Sequence, residues 1–174
     1  MRRQLPSTPI RFRPDEPWVL PQNAADVWFT TSDGVRLHGW FLTSNKRSPV
    51  ATVIYFHGNA GNLSHVAWVG RNLASAGFDV LLFDYRGYGR SAGETDGETG
   101  LNKDGDAAYE YVVDRRGVRP ERLVLYGQSL GTTVAADVAS RRACGALILE
   151  SGLSSAASMA AVVLPWLPRK AYVV

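Results

Sequence analysis

The stretch that decides the fold is Arg122–Ala139, RLVLYGQSLGTTVAADVA. An apolar run ends in Gly-Gln-Ser-Leu-Gly, and a segment with helical spacing begins at once. A turn this sharp between strand and helix crowds its own neighbours, so residues without bulk are needed two positions before and after the serine. The same turn lifts Ser129 clear of the backbone. An alcohol there is an exposed nucleophile in search of a base, ordinarily a histidine steered by a carboxylate.

Outward from this junction the chain alternates short apolar runs with helical segments. Val50–Phe56, Phe78–Phe83, Leu123–Tyr126 and Ala146–Leu149 are continuously apolar, as strands covered on both faces must be. Helices are expected over Ser64–Ala76, Glu98–Arg116 and Leu130–Arg142, ending at Gly77, Gly117 and Gly145. Ahead of them, Asp26–Thr31 and Val35–Leu42 flank Asp33-Gly34 and read as an antiparallel hairpin. The expectation is an α/β protein with a mostly parallel sheet and an N-terminal antiparallel hairpin. Residues 1–25 read as a proline-broken lead-in, and residues 26–174 as the domain.

At 174 residues with 45% hydrophobic and 20% charged positions, the composition is that of one ordinary globular domain. Net charge is +3, and Arg2, Arg3, Arg11 and Arg13 crowd the start of the chain. With no aromatic or lysine-rich patch beside them, they read as a solvated tail rather than an anion-binding surface, and no nucleic-acid partner is expected. Cys144 is the single cysteine, which excludes an internal disulfide and a cysteine-based zinc site. The lead-in has no apolar signal core. The longest apolar run, Met159–Pro168, is too short to span a bilayer. A soluble, cytoplasmic chain is expected unless an anchor precedes it.

Three loops sit where strands end. In His57–Asn62, HGNAGN, glycines let the backbone approach a bound group, and the Asn59 N–H can join that of Leu130 as an oxyanion hole. His57, Gly58 and Gln128 are the expected substrate contacts beside them. The second loop, Asp84–Thr95, leads into no helix at dinucleotide-binding spacing and reads as a substrate rim organised by Asp84 and Arg86. A calcium loop at residues 102–113 fails, since Ala107 and Val113 stand where glycine and glutamate belong. No cofactor or metal is expected. The third loop is the Ser129 turn.

Together HGNAGN, DYRGYGRS and YGQSLG, in this order and spacing, resemble the α/β-hydrolase superfamily, and closely its small α/β-hydrolase-domain serine hydrolases. The likeness runs from about Asp26 to Ser155. It implies Ser129 as nucleophile, Asn59 and Leu130 as oxyanion donors, and a small-molecule or acylated substrate carrying an ester, thioester or amide bond. It also implies the chain order serine, acid, histidine. After Ser129 the acids are Asp137 and Glu150, and no histidine follows. Asp137 reads as a solvated helix residue. Glu150 ends the next strand and is the candidate acid. His38, His57 and His65 all precede the serine and read as structural. The chain is therefore expected to be the N-terminal two-thirds of a hydrolase fold, lacking the last strands, with little turnover of its own and with Ala146–Leu149 on a sheet edge available for self-association. The alternative is a non-catalytic binding or regulatory protein that keeps the fold.

Overall fold

The computed structural model describes residues 18–59 and 61–151. The arginine-rich start of the lead-in and the run 159–168 lie outside them. Six strands form one sheet: β1 (Ala24–Thr30), β2 (Arg36–Leu42), β3 (Thr52–Phe56), β4 (Asp79–Phe83), β5 (Leu123–Gln128) and β6 (Ala146–Glu150), in the order β1-β2-β4-β3-β5-β6. The β1–β2 and β2–β4 pairs are antiparallel, and the other three pairs are parallel. The expected α/β class with its leading hairpin is what the chain adopts. The hairpin closes at Asp33-Gly34, where Gly34 takes φ 85° and donates to the Thr31 carbonyl.

Alternation along the strands divides the interior into two layers. Trp40, Leu42, Val53, Tyr55, Val80 and Leu82 face helix α1 (Leu63–Ala76), burying Leu63, Ala67, Val69 and Ala74. Phe41, Ile54, Phe56, Leu81, Phe83 and Leu125 face α2 (Glu98–Glu110) and α3 (Gly131–Arg141). Both faces of β3 and β4 are covered, the reason their sequences lack polar alternation. Helix α1 starts at Asn62 with a reciprocal cap, Asn62 accepting from the Ser64 N–H while the Asn62 N–H reaches His65 Nδ1 at 3.2 Å.

Two helix ends differ from the expectation. Helix α2 stops at Glu110 and continues as a wider π turn over Tyr111–Arg115, which stacks Tyr111 on Phe29 of β1 with ring centroids 5.1 Å apart. Helix α3 ends at Arg142 in extended conformation, so Gly145 is not its stop. Gly145 instead lies where a Cβ would come within 2.3 Å of the Glu121 carbonyl.

Candidate functional site

Strand β5 delivers Ser129 with φ 51°, one of two non-glycine residues at positive φ among those described. Holding an L-residue there costs on the order of 1 kcal/mol or more, so surrounding contacts must impose it. The two glycines make the turn sterically possible. A Cβ on Gly131 would lie 1.9 Å from the Phe56 carbonyl, and one on Gly127 would lie 2.4 Å from the Gly131 carbonyl. The first turn of α3 is thus pressed against the end of β3. The Ser129 N–H is fixed by the Glu150 carbonyl at 2.9 Å, and its own carbonyl accepts from the Thr132 N–H and hydroxyl.

The His57 loop meets this turn directly. A Cβ on Gly58 would stand 3.3 Å from Ser129 Cβ, a tight contact, and 3.9 Å from its Oγ, so the glycine keeps the loop and the serine close without crowding. His57 Nδ1 lies 2.7 Å from the Gly58 carbonyl and donates to it. In a trans peptide the carbonyl and the following N–H point opposite ways, so this bond turns the Asn59 N–H away from the His57 ring. Among the described hydrogen bonds outside regular helices and strands, neither the Asn59 nor the Leu130 N–H donates to a protein acceptor.

The His57 ring, expected to touch substrate, is 1% exposed and packs against Tyr85 and Tyr88, with centroids 4.6 and 5.4 Å away. It borders the serine through its backbone. Its Nε2 faces Asp84 Oδ1 at 3.8 Å. Burial pushes the His57 pKa down to about 4 and the Asp84 carboxyl up to about 7, the latter despite a 2.7 Å bond from the Leu63 N–H to Oδ1. The other histidines are committed elsewhere. His38 is buried with Nε2 2.9 Å from Asp26, and His65 caps α1.

The loop after β4 is not a rim along its first half. Residues 84–89 are all buried, because Tyr85 and Tyr88 turn inward as braces. The Tyr85 hydroxyl donates to the His57 carbonyl at 3.3 Å, and that of Tyr88 to Asn59 Oδ1 at 2.7 Å. Arg86 does organise the loop. Its guanidinium binds Asp33 at 3.0 Å, Asp96 at 3.3 Å and buried Asp104 at 2.9 Å. Neither tyrosine stands out in the sequence reading; the available signal is their i, i+3 spacing, with Tyr88 set between Gly87 and Gly89.

On the α1 side of the turn a second polar group gathers. Tyr55 donates to Gln128 Oε1 at 2.8 Å, Gln128 Nε2 lies 3.4 Å from Glu150 Oε1, and Tyr126 donates to Glu150 Oε2 at 2.5 Å. The Glu150 carboxylate is thus held by tyrosine and amide donors, with no histidine among its partners. Asp137 pairs with Arg141 one turn along α3.

A family model described as serine aminopeptidase, S33, matches residues 47–172. The chain is 41% identical to the uncharacterized protein YfhR of Escherichia coli, over 83% of this chain and 53% of that protein. It is 37% identical to the α/β hydrolase domain-containing protein 17C of mouse, over 76% of this chain and 42% of that one. Among solved structures, an esterase of Pyrococcus furiosus superposes with TM-score 0.72 at 26% identity, covering 95% of this chain and 64% of that one. A serine hydrolase without a lid from Xanthomonas campestris superposes with TM-score 0.62 at 27% identity, covering 75% and 62%. The chain spans about half the length of the curated relatives it matches. Its fold, its strand-turn-helix at Ser129 and these likenesses together place the chain in the α/β-hydrolase superfamily, in the family of the S33 model.

Proposed function

We propose that Ser129 is the nucleophile of a serine hydrolase acting on ester, thioester or amide bonds. The Ser129 Oγ adds to the carbonyl and gives its proton to a base, and the Asn59 and Leu130 N–H groups hold the oxyanion. The alcohol, thiol or amine leaves carrying that proton, and water then cleaves acyl-Ser129 to the free acid and restores the serine hydroxyl. The observation that carries this reading is Ser129 itself. It is held at φ 51° by two glycine contacts and a backbone bond, with Gly58 opening space beside its Oγ. The names of the esterase and serine hydrolase structures agree with it. Glu150, the expected acid, bonds Tyr126 and Gln128 beside the serine turn.

All three histidines of the chain have structural partners, so among the described residues no histidine is placed as base for Ser129. That favours a second reading, a binding protein that keeps the fold without turnover. Prolonged treatment with a fluorophosphonate, followed by peptide mass spectrometry, tests the first. An oxyanion hole and substrate binding retain about 10³ of catalysis over water without a working triad. The phosphonyl group should therefore appear slowly on Ser129 and vanish in Ser129→Ala, with an unchanged circular dichroism spectrum. Modification spread evenly over the serines, or unaltered by the substitution, would leave the binding-protein reading standing.

A further inference from the structure

We infer that Tyr88 is a positioning residue for the oxyanion hole: its buried hydroxyl anchors the Asn59 side chain and so holds the Asn59 N–H, turned away from the His57 ring, in place as an oxyanion donor. The inference rests on the reading of that N–H as an oxyanion donor.

Asn59 is exposed and directly follows Gly58, and Gly61 two residues on takes φ 112°. A loop so rich in glycine has many backbone states to lose, and an N–H that wanders cannot stabilise a developing charge. Two bonds restrain it. The His57 Nδ1 bond to the Gly58 carbonyl sets the plane of the peptide that carries the Asn59 N–H. The second, from the Tyr88 hydroxyl to Asn59 Oδ1 at 2.7 Å, fixes the residue on the far side of that peptide.

Tyr88 is suited to be the fixed post. It is 1% exposed, its N–H binds the Tyr85 carbonyl at 2.9 Å, and its own carbonyl accepts from the Ser91 N–H at 2.9 Å. Its ring lies edge-on to both His57 and Tyr85. The hydroxyl therefore reaches Asn59 from a backbone turn and a ring that are both held. A buried hydroxyl left without a partner is costly, so the bond favours the loop conformation from both ends.

The fluorophosphonate adduct of the 174-residue chain provides the test, because its phosphoryl oxygen occupies the place of the oxyanion. In amide NMR spectra of the wild-type adduct, the Asn59 and Leu130 protons should both move downfield from their positions in the untreated chain. In Tyr88→Phe the Leu130 shift should persist and the Asn59 shift should be lost. Phosphonylation should slow by about tenfold, less than the ~10²-fold that loss of a donor costs. Asn59→Ala, which removes the acceptor and leaves the buried ring untouched, should reproduce the same pattern. Both shifts retained in Tyr88→Phe and Asn59→Ala would overturn the inference and leave the reading of Asn59 intact. A wild-type adduct in which the Asn59 proton does not move would overturn both.

Discussion

At the scale of single residues, the His57–Asp84 contact behaves as a neutral pair over a broad range of pH. Asp84 in the folded chain titrates near 7 instead of 3.8, so between those values the folded state binds the extra proton and stability falls as pH rises. His57 titrates near 4 instead of 6.5, so its contribution is complete above 6.5 and is lost as pH falls toward 4. The two slopes oppose each other across the same window. Asp84→Asn keeps an acceptor for the Leu63 N–H and removes only one slope. Urea melts of the two proteins at several pH values should show the wild type losing ground to the variant from pH 4 to 7, by on the order of 4 kcal/mol at most. A constant difference would mean that Asp84 does not titrate there. None of this was legible in the sequence, because His57 and Asp84 are brought together by β3 and β4 lying side by side. The Ser129 turn was legible, since its chemistry and the glycines that permit it lie within five consecutive residues.

Among elements, Arg86 does what no run of apolar residues could do. From the loop after β4 it binds Asp33 in the β1–β2 turn, Asp96 ahead of α2 and Asp104 within α2, while Lys103 adds a bond to Asp33 at 3.0 Å. Asp104 is fully buried, and burial raises its carboxyl to about 6 although Arg86 pulls it down. Taking away the guanidinium would strand that carboxylate. Arg86→Ala should destabilise the fold by about 3–5 kcal/mol, the cost of breaking a buried pair from one side, and Arg86→Lys should recover only part because an ammonium cannot span three carboxylates in a plane. Chemical denaturation checks both, and an Arg86→Ala protein as stable as the wild type would contradict the argument. The elements themselves were readable where one physical rule dominates, as in the apolar runs of β3 and β4 or Gly77 closing α1 in left-handed conformation. They were less so where packing intervenes. The π turn at Tyr111 keeps helical spacing in the sequence, and only the stacking partner Phe29, far away in the chain, marks the difference.

For the whole molecule, the sheet is covered unequally among the described residues. Among the described residues β6 pairs only with β5, and Leu147, Ile148 and Leu149 are 39%, 45% and 49% exposed. We propose self-association through this strand. Light scattering should show mass rising with concentration, and Ile148→Lys should reduce it by placing a charge on the edge; a monomer at every concentration would refute the proposal. Among the described residues no helix is long and apolar enough to cross a membrane. Turnover is the other property that belongs to the molecule as a whole. On the proposed reading the turn at Ser129 and the His57 loop would supply a nucleophile and a place for the oxyanion, but His38, His57 and His65 hold a carboxylate, a carbonyl and a helix cap. A serine without its base loses on the order of 10⁶ in turnover, and the loss of the acid is not multiplied in, because the triad acts as a unit. Assayed on a short p-nitrophenyl ester beside Ser129→Ala, the purified chain should fall far below the ~1 s⁻¹ at which working enzymes begin. Turnover at or above that rate, abolished by the substitution, would require one of the three histidines to leave its structural partner and serve Ser129.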